Sequence, residues 1–190
     1  MKKQPIVMTV LLTASIFTFT YRPNNALAQS HLIPIKLTQN NVSQSDRQFV
    51  TKAAQGNLAE VELGQLATER GQSNEVKAFG QLMVDDHRRL NQELEQLAAQ
   101  KGIDFPTDIG SENNRVRANL QKLSGSAFDT AYIRHMIEDH NKDIALYRRQ
   151  SQQGNDQDLK NWAARSLALL QEHLRLATSI QDSLPGRSRR

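Results

Sequence analysis

The sequence predicts an all-α protein built on four long helices. Three observations point there. From about residue 45 to residue 183, apolar side chains recur at steps of three and four, the period of a helix with one buried face. Capping and breaking residues cut that region into stretches of similar length. The pattern Phe79-x-x-x-Met83-Val84-Asp85-Asp86-His87 also recurs as Tyr132-x-x-x-Met136-Ile137-Glu138-Asp139-His140. In each copy an aromatic, a methionine and a histidine fall four residues apart, on one helical face.

The elements follow in order. The first helix is expected to begin near Ser45, a good N-cap, and to stop before Gly71. The second should run from after Ser73 to Lys101-Gly102, a cation followed by a C-terminal glycine. A loop with Pro106 leads to a short helix at about Ser111–Leu123, broken by Ser124-Gly125-Ser126. The third long helix should span Ser126 to Gln153, ended by Gly154, and the fourth Asn155 or Asp156 to Ser183, ended by Pro185. Each long helix is then about 40 Å at about 1.5 Å per residue. Long helices one and two, and likewise three and four, join across very short turns, so each pair should be an antiparallel hairpin. The long connection between the pairs, with its short helix, can travel the length of the bundle. Two hairpins joined by such a crossover is the ferritin-like arrangement.

The chain ends carry an address. Lys2 and Lys3 precede an uncharged run from Ile6 to Thr20, and Asn25-Ala26-Leu27-Ala28 places small residues where a signal peptidase reads. Residues 1–28 are therefore expected to be a secretory signal, with an uncleaved N-terminal anchor as the alternative. The expected location is the periplasm or cell envelope. Residues 29–44, rich in Gln, Asn, Ser and Thr, read as a flexible leader and 184–190 as a basic tail, which leaves 45–183 as the helical domain. The full chain carries +4; three of those charges are Lys2, Lys3 and Arg22, so the expected mature chain carries about +1. That weak charge argues against nucleic acid as a partner. No later apolar run reaches spanning length, so no transmembrane segment is expected in the mature chain. There is no cysteine, which excludes disulfides, thiolate ligands, thiol nucleophiles and a lipidated export cysteine.

Several polar residues interrupt the apolar stripes. His87 lies in the stripe Val76, Phe79, Met83, His87, Leu90, Leu94, Leu97. His140 lies in Ile133, Met136, His140, Ile144, Tyr147, and His173 in Leu159, Trp162, Ser166, Leu169, His173, Leu176, Ile180. Glu60 stands in Phe49, Ala53, Gly56, Glu60, Leu63, Ala67, with Glu62 as a substitute on a second apolar face. All four lie within about one turn of their helix midpoints, and an antiparallel helix keeps its midpoint at the same height. One carboxylate and three imidazoles should therefore converge at mid-bundle, a donor set that one Cu, Zn, Fe or Mn ion would accept. Met83, Met136 and Asp143 are secondary candidate ligands; the bland role of the methionines is core filling. Buried histidines can equally hydrogen-bond to one another or to Glu60 and lock helix register. The positions three before each histidine are Val84, Ile137 and Leu170, so the Glu-x-x-His di-iron pattern is absent, and with few inward carboxylates a carboxylate-bridged iron pair is not expected. Asp86, Asp139 and Glu172 lie about 100° round from the histidines and read as outward or facing a neighbouring helix. His135 reads as surface, His31 falls in the leader, and Gly56 and Gly64 read as points of close helix packing. No phosphate loop, nucleophile elbow or H-E-x-x-H zinc helix is present.

Several blocks in order resemble an exported bacterial family. They are Gly56-Asn57-Leu58-Ala59-Glu60-Val61-Glu62-Leu63-Gly64, Met83-Val84-x-Asp86-His87, Leu123-Ser124-Gly125-x-Ala127-Phe128-Asp129-x-x-Tyr132, Met136-x-x-Asp139-His140 and His173-Leu174. The family is called domain of unknown function 4142, and its members are often labelled predicted outer membrane proteins. The resemblance covers about residues 45–182 and implies a ferritin-like bundle behind a signal peptide, with no established activity. One departure is Leu167-Ala168, where the family tends to carry proline, so the last helix should be straighter here. Three functional readings follow: a metal-binding or stress-related envelope protein without turnover, a structural bundle or one that binds an envelope protein partner, and, third, a metal-dependent oxidoreductase.

Overall fold

The computed structural model describes residues 42–184. The expected signal, His31, nearly all of the leader and the tail beyond Leu184 lie outside the described residues. Within them the chain is all-helical, with five helices and no strand: α1 Gln44–Arg70, α2 Asn74–Gln100, α3 Gly110–Leu120, α4 Gly125–Gln153 and α5 Gln157–Ser183. No described helix is long and apolar enough to cross a membrane.

Local chemistry sets these limits. α1 is capped by Ser43 rather than Ser45; the Ser43 hydroxyl accepts from the Asp46 N–H at 3.1 Å, and Val42 before it joins the core. Ser73 caps α2 and Asp156 caps α5 in the same way. α2 closes at Gly102 (φ 62°), where the Ile103 N–H reaches the Ala98 carbonyl at 2.9 Å and the Gly102 N–H reaches Ala99 at 3.3 Å. That is the Schellman arrangement, with Ile103 buried behind it. α5 runs without interruption through Leu167-Ala168.

α1 packs along α2 and α4 along α5; α1 also meets α4, and α2 meets α5. These contacts close a ring α1–α2–α5–α4, compatible with a four-helix bundle, while α3 lies over α1 and α4. The tightest crossing is between α1 and α2. A Cβ placed on Gly64 would stand 2.5 Å from the Gly80 carbonyl oxygen, and one on Gly80 2.7 Å from Ala67 Cβ. Gly64 therefore allows the close approach expected of it. Gly56 does not mark one, since a Cβ there would meet only Asp143, at 3.6 Å.

The two hairpins repeat. α5 begins and ends 83 residues after α2 (157 against 74, 183 against 100). At the same offset Asp46 matches Asp129, Phe49 Tyr132, Gly71 Gly154 and Phe79 Trp162. The matched aspartates perform matched tasks. Buried Asp46 on α1 accepts from the backbone N–H groups of Asn155 (3.2 Å) and Asp156 (3.1 Å) in the α4–α5 turn, and from Gln150 Nε2 (2.7 Å). Buried Asp129 on α4 accepts from the N–H groups of Gln72 (2.9 Å) and Ser73 (2.8 Å) in the α1–α2 turn. Each half thereby pins the other's turn with a carboxylate bonded to otherwise orphan N–H groups.

The core splits into two apolar clusters. One gathers Phe49, Leu94, Ile144, Tyr147, Leu159 and Trp162; the other Leu63, Phe79, Met83, Phe128, Tyr132 and Met136. On α5 it is Leu170, not Leu169, that is fully buried. The polar residues of the stripes belong to neither cluster.

Candidate functional site

Glu60, His87, His140 and His173 come together, one from each long helix, and all are fully buried. The ring centroids stand 5.8 Å (His87–His140), 5.3 Å (His87–His173) and 5.4 Å (His140–His173) apart. One ring nitrogen of each lies within 4.8 Å of the others. Glu60 Oε2 is 3.0 Å from His87 Nε2, and Oε1 is 3.4 Å from His140 Nδ1. Neither carboxylate oxygen, nor His87 Nε2, makes an aligned hydrogen bond.

Each imidazole is oriented by an acceptor on its outer side. His140 Nδ1 lies 2.9 Å from the Met136 carbonyl oxygen, His87 Nδ1 3.0 Å from Asn57 Oδ1, and His173 Nε2 3.1 Å from Asp86 Oδ2. An oxygen acceptor fixes the proton on the nitrogen that faces it. The remaining nitrogens, His140 Nε2 and His173 Nδ1, then carry lone pairs, as does His87 Nε2 when Asn57 presents its amide oxygen to Nδ1. Two of these, on His140 Nε2 and His173 Nδ1, face each other at 3.3 Å. Two lone pairs at that distance require a proton or a cation between them. The spacing is close to the edge of a tetrahedron around an ion with bonds of about 2.0–2.1 Å to nitrogen.

The electrostatics favour neutral groups in the absence of an ion. Burial pushes Glu60 well above the usual carboxylate range, and the charges of Asp139 and Asp143 push it further. Burial pushes His87 well below the usual imidazole value, with His140 and His173 adding to it. Burial, then the neighbouring His173, brings His140 down to about 4. His173 is also lowered by burial, against the opposing pull of Asp86. A desolvated imidazole kept neutral is the form that binds metal.

The secondary candidates divide. Met83 and Met136 are fully buried in the apolar core, and the part Met136 plays at the site is its backbone carbonyl. Glu62 turns away and pairs with Arg117 of α3. Asp143 does approach: its carboxylate, with those of Asp139 and Glu60, forms a group whose oxygens lie within 4.8 Å of one another. Burial, with the charge of Asp139 adding, pushes Asp143 up to about 8.

The sequence leaves Asp86 and Asp139 facing either outward or a neighbouring helix, and places His135 on the surface. Asp86 and Asp139 are half-buried and face neighbouring helices at the site; only Asp85 and Glu138 of the two acidic pairs are exposed. The inward carboxylates are therefore more numerous than the stripes implied. His135 is half-buried rather than on the surface, and burial lowers its pKa, because α3 lies over this side of α4. Asn57 was not singled out as a site residue; its signal is its place three residues before Glu60 on an inward face.

The family model described as "Domain of unknown function (DUF4142)" matches residues 35–180, against the 45–182 expected from the motif blocks. Among solved structures the chain is similar to the crystal structure of a DUF305 fragment from Deinococcus radiodurans. That likeness has a TM-score of 0.67 and 17% identity, and covers 75% of this chain and 99% of the other. At that identity it speaks for the fold alone. No curated protein matches the chain.

Proposed function

Since the chain belongs to the DUF4142 family, whose description carries no activity, we propose a function from the site itself: binding of one transition-metal ion by Glu60, His87, His140 and His173. The observation that carries this reading is the convergence of imidazole lone pairs, each fixed by an outer acceptor. Hydrogen bonds from ligand histidines to a carboxylate, an amide oxygen and a backbone carbonyl are the usual second layer of a metal site. Three nitrogens and one carboxylate oxygen suit Zn, Cu, Fe or Mn. The ion would replace the missing proton between His140 and His173 and give Glu60 a partner. The ferritin-like description of the two hairpins, an exported location in the cell envelope and a stress-related role belong to the same proposal. The signal-like residues 1–28 support export.

A purely structural role draws support from burial, which keeps Glu60 and His87 neutral in the absence of an ion. Elemental analysis of untagged protein from its native compartment, beside His87→Ala/His140→Ala, separates the two. Near-stoichiometric metal in the wild type and none in the variant is the expected result. Absence of metal from wild type that also fails to take up added Zn²⁺, Cu²⁺, Fe²⁺ or Mn²⁺ overturns the reading. Fractionation of cells then checks the envelope location.

A further inference from the structure

The geometry points to a second cation site beside the imidazoles, in which a divalent ion is held by oxygens of Asp139, Asp143 and a Glu60 shared with the first ion. Asp139 and Asp143 lie one turn apart on α4 and so share a face, and Glu60 reaches them from the adjoining α1. Three carboxyl groups whose oxygens lie within 4.8 Å of one another favour either a shared proton or a cation between them. Independently of that acidic cluster, Glu60 points to a ligand. It is fully buried, and neither of its oxygens receives an aligned hydrogen bond. In its ionised form a buried carboxylate without donors is costly, and a bridging cation on each side offsets that cost.

Access favours the same place. A cleft of about 510 Å³ opens between α1, α4 and the start of α3, and Gly56, Gly110, Asp139 and Asp143 are among its walls. Gly56 sits one turn before Glu60 and presents no side chain over Asp143; a Cβ there would already stand 3.6 Å from Asp143 Oδ2. The acidic group thus borders solvent-accessible space, while all three imidazoles are fully buried. An all-oxygen donor set selects harder ions than the imidazole set, in the class of Mg²⁺, Ca²⁺ and Mn²⁺. The two sites would therefore differ in preference while sharing one carboxylate.

The second site rests on the metal reading above only through the sharing of Glu60, and Mn²⁺ binding can separate the two. Full-length, metal-stripped protein is titrated with Mn²⁺ alone, and bound ion is counted after equilibrium dialysis. Two ions are expected in the wild type and one in Asp139→Asn/Asp143→Asn. Glu60→Gln should weaken both at least tenfold. If the double variant does not fold, Asp143→Asn alone is read by the same criteria. Two ions retained in the aspartate variant overturn the second site, as does a single wild-type ion that survives there but is lost in His87→Ala/His140→Ala. A single ion lost in the aspartate variant and kept in the histidine variant leaves the carboxylate site standing and removes the imidazole one. No Mn²⁺ bound by the wild type removes this site. A Glu60→Gln protein that keeps either ion at wild-type affinity overturns the sharing.

Discussion

Alanine at Gly64 and alanine at Gly56 should have opposite effects, although both sit inside α1, eight residues apart. In an isolated helix either change gains about 1 kcal/mol, because glycine loses more backbone freedom on folding. At Gly56 the new methyl would meet nothing closer than 3.6 Å, so the gain should survive and the variant should be neutral or more stable. At Gly64 the same methyl would stand 2.5 Å from the Gly80 carbonyl oxygen, 3.0 Å from Val84 Cγ2 and 3.3 Å from Met83 Cβ. The nearest obstacle is backbone and cannot swing aside. Restoring a carbon–oxygen contact of about 3.3 Å requires α1 and α2 to part by about 0.8 Å at the crossing. A gap of that size forfeits about a quarter to a half of the dispersion energy of the atoms that line it. Overpacking of this kind costs about 1–3 kcal/mol, towards the upper end when backbone is struck. Net of the propensity gain, Gly64→Ala should lose about 1–2 kcal/mol, a fall in Tm of about 2–8 °C for a domain of this size. Glu60 lies one turn before Gly64, so parting the helices should also lengthen the 3.0 Å Glu60–His87 contact. Urea unfolding of the two variants beside wild type is the assay. If Gly64→Ala proves as stable as Gly56→Ala, the two backbones are not in contact there, and the account of this crossing is wrong.

Further expectations concern the turns, the metal and pH. Asp129→Ala should cost about 3 kcal/mol or more, because hydrogen bonds to a charged group contribute about 1.5–3 kcal/mol each and two backbone donors in the α1–α2 turn lose theirs; Asp129→Asn should fall between, and equal stability of the alanine variant and wild type would refute the clamp. Zn²⁺ at a hundred times its dissociation constant should raise wild-type stability by about 2.7 kcal/mol and leave His87→Ala/His140→Ala unmoved, as read by thermal unfolding with and without chelator. In metal-free protein, burial holds His140 near 4, while an unfolded histidine titrates near about 6.5. The unfolded chain thus binds the proton that the folded state refuses. The contribution of His140 is complete above pH 6.5 and is lost as pH falls towards 4. The stability difference between wild type and His140→Gln should therefore shrink across that window, and parallel pH profiles of the urea midpoint would contradict it.

Much of the architecture is legible in the sequence because the punctuation is local. Ser73 acts through its hydroxyl, Gly102 through its positive φ, and Gly71 and Gly154 through the Cβ they lack, which would strike the Ala67 and Gln150 carbonyl oxygens; the helices end where those residues say. Ser43 caps α1 in place of Ser45, decided by which hydroxyl reaches the Asp46 N–H, and the short helix stops at Leu120 rather than Leu123, with Gly125 and Ser126 opening α4. The inner set was also legible, because a polar residue in an apolar stripe at a helix midpoint has few other places to go. For Asp86 and Asp139 the sequence leaves open whether they face outward or a neighbouring helix. A single stripe describes one buried direction, whereas a helix in this ring touches two neighbours, so a side chain about 100° off the stripe lies in a groove between helices. His135 was misjudged for a related reason: its cover comes from α3, whose docking leaves no mark on the period of α4. Asn57 is small, polar and one turn from a candidate ligand, and only the position of the His87 ring gives it a task.

The offset of 83 residues bears on what kind of binding centre this chain can carry. Were the two hairpins separate identical molecules on a two-fold axis, every ligand would appear twice, at mirrored depth, and the centre could only be even-handed. Glu60 and Asp143 still obey that rule, being an acidic pair at the repeat distance. The imidazoles do not: His140 corresponds to Asn57, His87 to Leu170 and His173 to Leu90. One covalent chain lets the halves diverge position by position while Asp46 and Asp129 keep them docked in the same way. Nitrogen donors can thus accumulate on one side of the carboxylates and oxygen donors on the other, a polarity that an assembly of identical hairpins has no means to encode.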